Sequence, residues 1–265
     1  MSEIRALLLA AGVGTRLRPL TEHCPKCLVP IAGTPLLEHW LCSLRRIGIG
    51  QVLVNMHHHR RLVEAFIARS CFSGWVQGVI EEELLGTAGT LRANATSLFV
   101  GTTLLAHADN WCQCNLKCFI DFHRYHRPPD TVITMMTFRT STPVTCGVVE
   151  VDSEGVVQQF HEKISNPPGN LANAAVYLLE PDVVRWVTQR PQVSDFSTEV
   201  LPEFLGRVAT WENIGIHRDV GAIASLLNAQ KDPQHDPCWP DTDDWMRMYR
   251  DNPVHEQLFS TMGKV

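Results

Sequence analysis

The chain is 265 residues long, with 45% hydrophobic and 19% charged residues and a formal net charge of −5. That composition can bury a sizeable core and excludes a disordered chain. The negative balance excludes a broad basic face for nucleic acid or membrane lipid, so any phosphate chemistry must rest on a few local cations.

In chain order, apolar runs alternate with helical patterns. Residues 4–10 read as a buried strand. Leu36, Leu37, Trp40, Leu41 and Leu44 recur at helical spacing after Thr34-Pro35, and Gly48 ends the pattern. Strands at 51–56, 75–80 and 102–107 alternate with helices at 58–70, 87–99 and 116–127. This βαβα order predicts an α/β fold, with a mostly parallel sheet and helices on both faces. After Pro128-Pro129 the rhythm changes. Residues 131–138, 147–151, 156–161 and 172–179 read as strands with little helix between them, which predicts an antiparallel or mixed extension of the sheet. Helices return at 181–189, 198–205 and 220–229. Residues 1–230 are thus expected to form one domain. Residues 231–265 are rich in Asp and Pro; they read as an acidic, partly ordered tail with a short helix near 245–250, not as a separate domain.

No segment reaches the length of a membrane helix, and the run 6–11 is too short for a signal peptide and follows Glu3. Nine cysteines, an odd number without small-scaffold spacing, predict a reducing cytoplasm and no disulfide framework. Cys24 and Cys27 form a C-x-x-C pair around Pro25-Lys26 and read as packing residues. His123 and His126 read as surface residues of a helix.

The first strand runs into Leu9-Ala10-Ala11-Gly12-Val13-Gly14-Thr15-Arg16, with Pro25-Lys26 ten residues on. Glycines at such a turn let backbone N–H groups approach a polyphosphate. Arg16 and Lys26 can neutralise it, one as a fork and one as a point charge. A dinucleotide fingerprint would need a third glycine where Leu17 stands, and a Walker A loop would need Gly-Lys-Ser/Thr. A second strand ends at Leu105-Ala106-His107-Ala108-Asp109, and a carboxylate beyond the end of such a strand can hold Mg²⁺ against phosphates. A third stretch, Glu81-Glu82-Glu83-Leu84-Leu85-Gly86-Thr87, brings acceptors to a glycine turn. Guanine offers two adjacent donors that one carboxylate can pair, so Glu81 and Glu83 favour guanine over uracil or thymine.

The run Gly12-Val13-Gly14-Thr15-Arg16-Leu17-Arg18-Pro19-Leu20-Thr21 with Pro25-Lys26 resembles the signature of the sugar-1-phosphate nucleotidyltransferases. Leu85-Gly86-Thr87-Ala88-Gly89 is similar to the mannose-1-phosphate guanylyltransferase branch. The resemblance implies a three-layer Rossmann-like fold with a mixed, mostly parallel central sheet. It implies transfer of a nucleotidyl group from a nucleoside triphosphate, GTP favoured, to mannose or manno-heptose 1-phosphate with release of pyrophosphate. Thymidylyl, uridylyl or cytidylyl transfer is the alternative within the family. A catalytically weak nucleotide-sugar-binding regulator is the alternative outside it.

By the same resemblance Arg16, Lys26 and Asp109 are catalytic. The nucleotide lies against Leu9, Ala10, Ala11, Gly12, Gly14, Thr15, Glu81, Glu83, Gly86 and Thr87. The sugar phosphate lies against Gly147, Glu162, Lys163, Asn173 and Glu199. The implied cofactor is Mg²⁺ on Asp109 and on Asn213, which stands in Trp211-Glu212-Asn213-Ile214-Gly215 where the family has Trp-x-Asp-x-Gly. An Asn there lacks a charge, and that is the motive for the regulator alternative. The expected partners are the two substrates, with neither nucleic acid nor membrane, and with homo-oligomerisation left open.

Overall fold

In the computed structural model the described residues are 3–99, 101–234, 236–240 and 242–263. Strand β1 (Ile4–Leu9) is followed by a series of 3-10 turns, the short strands β2 (Pro30–Ile31) and β3 (Thr34–Pro35), and helix α1 (Leu36–Arg46). Then come β4 (Gln51–Met56), α2 (Arg60–Ile67), β5 (Val76–Ile80), α3 (Thr87–Ala93), α4 (Ala95–Leu98), β6 (Thr102–His107), β7 (Asn110–Gln113) and α5 (Leu116–Tyr125). The strand-rich stretch holds β8 (Ile133–Arg139), β9 (Gly147–Val151), β10 (Val157–Glu162) and β11 (Leu171–Leu179), then α6 (Pro181–Thr188). The chain continues through β12 (Val208–Glu212), β13 (Ile216–Asp219), α7 (Ile223–Ala229), α8 (Asp244–Arg250) and α9 (Pro253–Met262). Among the described residues no helix is long and apolar enough to cross a membrane.

The chain divides into two compact units. The first comprises residues 1–7, 85–106 and 113–217, and the second 8–84, 107–112 and 218–265. Strand β1 contributes residues to both. In the first unit the sheet order is β10-β9-β11-β6-β1. Here β11 runs antiparallel to β6, β8 and β9, and β12 lies parallel to β8. In the second unit the order is β1-β4-β5, with β4 and β5 parallel. The α/β class and the mixed sheet are as expected, and β8 to β11 form the antiparallel extension. The apolar positions of β1 and β6 are buried, as strands covered on both faces require.

Several local expectations change. The helix expected at 87–99 breaks at Asn94, whose side chain turns back to donate to Thr90 O at 2.9 Å. The helix expected at 198–205 is a π turn over Phe196–Val200 and a 3-10 turn over Leu201–Phe204. Pro202 has no N–H for an α-helical bond there. His123 is buried, not surface: its Nδ1 lies 2.7 Å from Thr134 Oγ1 and its Nε2 lies 2.9 Å from Glu180 Oε1. Finally, Cys42 and Cys238 form a disulfide across a sequence separation of 196. The other seven cysteines form no disulfide. Burial pushes the Cys27 thiol up to about 12, which suits a packing role for that residue.

Residues 231–263 carry two helices instead of the single short one expected. In the second unit Trp245 stacks edge-on against Phe66 and Trp239 against Phe72. Tyr249 donates its hydroxyl to Leu28 O. Arg69, almost wholly buried, bonds Glu38 on α1 and reaches Asp243 at 2.8 Å at the start of α8. A buried guanidinium costs stability unless paired, and here it is paired on both sides.

Candidate active site

The second unit builds a glycine turn at the end of β1. Ala10 N–H donates to Asn55 Oδ1 at 2.5 Å, and Asn55 Nδ2 donates to Glu81 Oε1 at 2.9 Å. Gly14 has φ +67°, and a Cβ there would meet Thr21 Cγ2 at 2.9 Å and Lys26 Cβ at 3.0 Å. Only glycine lets the turn lie so close to the Lys26 stem. A Cβ at Gly12 would lie 3.6 Å from Asp109 Oδ2, so the Gly12 backbone runs beside that carboxylate.

Lys26 is the centre of the site. Its side chain is 7% exposed, and its Nζ lies 2.7 Å from Asp109 Oδ2 and 3.3 Å from Asp219 Oδ1. Arg16 is open to solvent and reaches Asp219 Oδ2 at 3.5 Å. Asp109 sits just past β6. Its neighbours are fixed by Ala108 N–H to Leu9 O at 3.0 Å and by the Trp40 indole N–H to Asn110 O at 2.8 Å. Asp219 ends β13, and its Oδ1 also accepts the Gly221 N–H at 2.8 Å. Burial pushes the Asp219 carboxyl up, but the charge and hydrogen bond of Lys26, with the charge of Arg16, hold it below its usual 3.8.

Two hard carboxylate donors therefore converge on the point that Lys26 Nζ marks. Among the described residues no group of three or more His, Cys, Asp or Glu side chains is gathered as a metal cage. A pair is what Mg²⁺ needs when phosphates and water complete its shell.

The structure thus brings Gly12, Gly14, Arg16, Lys26 and Asp109 together. Leu9, Ala10 and Ala11 are buried where the strand ends, and Thr15 is exposed on the turn. Glu81 is 5% exposed and committed to Asn55, so it anchors the turn from behind; Glu83 faces solvent.

The first unit holds the remaining predicted residues. Gly147 faces Glu162 across the β9–β10 register, and a Cβ at Gly147 would lie 2.7 Å from Glu162 Oε2. Lys163 Nζ pairs with Glu162 Oε1 at 2.9 Å and stays largely exposed. Asn173 donates to the Tyr177 hydroxyl at 2.6 Å and accepts from Ala175 N–H at 2.9 Å. Gly86, with φ +75°, packs on Ser194 O, where a Cβ would come within 2.4 Å. Thr87 Oγ1 accepts the Phe196 N–H at 2.6 Å. Glu199 is a cap of this same loop: its Oε2 accepts from Ser194 N–H at 2.9 Å and Asp195 N–H at 2.7 Å. Those N–H groups hold its carboxyl below the usual range.

Asn213, expected at the metal, is 4% exposed. Its Nδ2 donates to Gln113 O and to Ile216 O, each at 3.4 Å, and its Oδ1 accepts Gly215 N–H at 2.8 Å. An amide spent on three backbone groups holds a turn together. The acid that shares Lys26 with Asp109 is Asp219, which the sequence reading passed over. Its signal was present: Asp-x-Gly recurs at Asp219-Val220-Gly221, six residues past Asn213-Ile214-Gly215. Trp211 drew the pattern to the earlier copy.

Residues 5–235 match the nucleotidyl transferase family. The chain belongs to that family. A mannose-1-phosphate guanylyltransferase of Mycobacterium tuberculosis is 31% identical over 235 residues, covering 87% of this chain and 64% of that protein. The catalytic subunit beta of a mannose-1-phosphate guanylyltransferase of Drosophila pseudoobscura pseudoobscura is 32% identical over 203 residues, 75% of this chain and 53% of that one. The chain spans between about half and two thirds of the length of these relatives. Among solved structures, the nucleotidyltransferase fold is matched by HddC from Yersinia pseudotuberculosis. Its complex with GMP-PN has TM-score 0.72 at 21% identity, over 86% of this chain and 98% of that one.

Proposed function

We propose that this chain transfers a nucleotidyl group, guanylyl in preference, from a nucleoside triphosphate to mannose or manno-heptose 1-phosphate. Products are the nucleotide-sugar and pyrophosphate. The observation that carries the reading is Lys26, buried between Asp109 and Asp219 beside the Gly12–Gly14 turn. A buried ammonium between two acids at a glycine turn suits charge handling of a polyphosphate.

A phosphate oxygen of the sugar phosphate attacks the α-phosphorus, the bond to the bridging oxygen breaks, and pyrophosphate leaves. Both reactants are already oxyanions, so no general base is required, and catalysis is positioning plus charge neutralisation. The turn's backbone N–H groups receive the phosphates, the exposed Arg16 fork takes the leaving pyrophosphate, and Lys26 takes the α-phosphate. Asp109 and Asp219 are the residues that would hold Mg²⁺, which would neutralise further phosphate charge. Lys163 holds the sugar phosphate, and Glu162 accepts from sugar hydroxyls. Guanine is supported by the names of the two guanylyltransferase relatives and by the exposed Glu83. Asp219 supplies the charge that Asn213 lacks, which removes the motive for a non-catalytic regulator.

Pyrophosphate release, measured for each nucleoside triphosphate with mannose, manno-heptose and glucose 1-phosphates and Mg²⁺, tests the proposal. Turnover with GTP and a manno sugar is the expected result. Turnover with dTTP alone overturns the guanine assignment, and no turnover with any pair overturns the transferase reading.

A further inference from the structure

Asp232 lies just past α7, at the start of the stretch that the sequence marks as tail, yet its side chain is only 8% exposed. Both of its oxygens are engaged. Oδ2 accepts from Arg218 Nε at 2.7 Å and from the Trp111 indole N–H at 2.9 Å, and Oδ1 accepts from Arg218 Nη2 at 2.7 Å. Arg218 immediately precedes Asp219, and Trp111 follows Asp109 by two residues in β7. One carboxylate is therefore bonded to the segments that carry both members of the acidic pair. Trp111 is itself 1% exposed and sits edge-on to His39, with ring centroids 4.8 Å apart. Two residues before Asp232, Gln230 does the same for the third segment. Its Nε2 donates to Pro30 O at 2.8 Å and its Oε1 accepts Ala32 N–H at 2.9 Å, on the chain that follows Lys26.

A bidentate guanidinium–carboxylate pair fixes direction as well as distance, which a packed apolar residue does not. Direction matters here because Mg²⁺ demands near-ideal octahedral geometry, so the spacing of two carboxylates decides whether both can bind it. Groups that orient metal-binding residues from behind commonly change metal affinity or activity by roughly 10- to 100-fold.

We propose that Asp232 is a positioning residue for Asp109 and Asp219, holding the Arg218–Asp219 and Asp109–Trp111 segments in the one arrangement in which both carboxylates reach the same ion. The inference rests on the assignment of those two acids to the metal in the proposed function. Asp232 touches neither substrate nor ion in this role.

The test uses the full chain with two variants. Asp232→Asn keeps the shape and removes the charge facing Arg218. Trp111→Phe keeps the ring and removes only the indole donor. Three quantities are read: Mn²⁺ affinity of the protein alone by electron paramagnetic resonance, the Mg²⁺ concentration for half-maximal pyrophosphate release, and the KM for sugar 1-phosphate. In Asp232→Asn the Mn²⁺ dissociation constant and the Mg²⁺ half-saturation are expected to rise by between about 10- and 100-fold with an unchanged sugar-phosphate KM. Trp111→Phe should shift both in the same direction by less. Wild-type metal values in folded Asp232→Asn overturn the proposal even if its thermal midpoint falls. If Asp232→Asn does not fold, unchanged Mn²⁺ affinity in Trp111→Phe overturns it. Wild-type protein that binds Mn²⁺ but turns nothing over sinks the transferase reading and leaves the Mn²⁺ comparison to decide this one. Wild-type protein that turns over but binds no Mn²⁺ overturns this proposal and leaves the transferase reading standing.

Discussion

In the turn Asn213–Gly215 and in the turn Asp219–Gly221, the first side-chain oxygen accepts the N–H of the glycine two positions on, at 2.8 Å in both. The local fold is the same Asx turn. What the rest of the side chain meets differs. Asn213 turns its NH₂ toward two carbonyls, Gln113 O and Ile216 O. Asp219 turns a negative charge toward Lys26 and Arg16. The glycines differ in the same way. A Cβ at Gly215 would meet Gln113 O at 2.2 Å, a backbone atom, whereas a Cβ at Gly221 would meet Arg16 Nη2 at 2.6 Å and Asp219 Oδ1 at 2.7 Å. One turn is a structural joint and the other carries charge, and a single amide-for-carboxylate difference separates them.

The largest effect should come from deleting the charge. Asp219→Ala is expected to lower kcat for pyrophosphate release by about 10²- to 10³-fold with a nearly unchanged far-ultraviolet spectrum, and Asp109→Ala by as much or more. Near-normal turnover in either variant would remove that residue from the site. Next, Gly221→Ala should cost between about 10- and 100-fold in kcat/KM by displacing Arg16 and Asp219, while the unfolding midpoint moves little.

Gly215→Ala should do the reverse, destabilising by about 1–3 kcal/mol in denaturant unfolding because a backbone carbonyl cannot step aside. Asn213→Asp should likewise cost about 1–3 kcal/mol, since it replaces a donor with an acceptor against two carbonyls. It should leave the Mg²⁺ dependence of turnover where it was. Tighter Mg²⁺ dependence in that variant would restore Asn213 to the metal site.

The smallest effect is on stability against pH. The folded Asp219 carboxyl sits below its usual 3.8, so the stability it contributes is fully present above that pH. It is lost as pH falls through the lower folded value. The stability gap between wild type and Asp219→Asn should therefore be constant at neutral pH and close in acid. A gap that persists unchanged at low pH would mean that the charge of Asp219 contributes nothing to folding.

Much of the fold was legible because burial leaves a periodic trace. Strands 51–56 and 147–151 coincide with β4 and β9, whose apolar runs are bounded by turns. The pieces that escaped have weak periodicity. Strand β13 alternates little in burial, so no period marks it as a strand. The stretch after 231 has few apolar residues, and their meaning depends on partners distant in the chain. Trp245 needs Phe66, and Cys238 needs Cys42. His123 lies on the helix α5, where a polar residue is expected to face water, and only Glu180 and Thr134 show why it is buried.

By itself the sequence determined the α/β class, the glycine turn with Arg16 and Lys26, and the strand-end Asp109. Each is set by neighbours within a few positions, through backbone freedom at glycine and burial along a strand. Tertiary structure decided which of two Asx-x-Gly turns faces Lys26, a meeting across 193 positions. It also decided the tail's part in the site. The bonds from Asp232 to Trp111 and Arg218 have no local signature, since a carboxylate's role is set by the donors it is buried against.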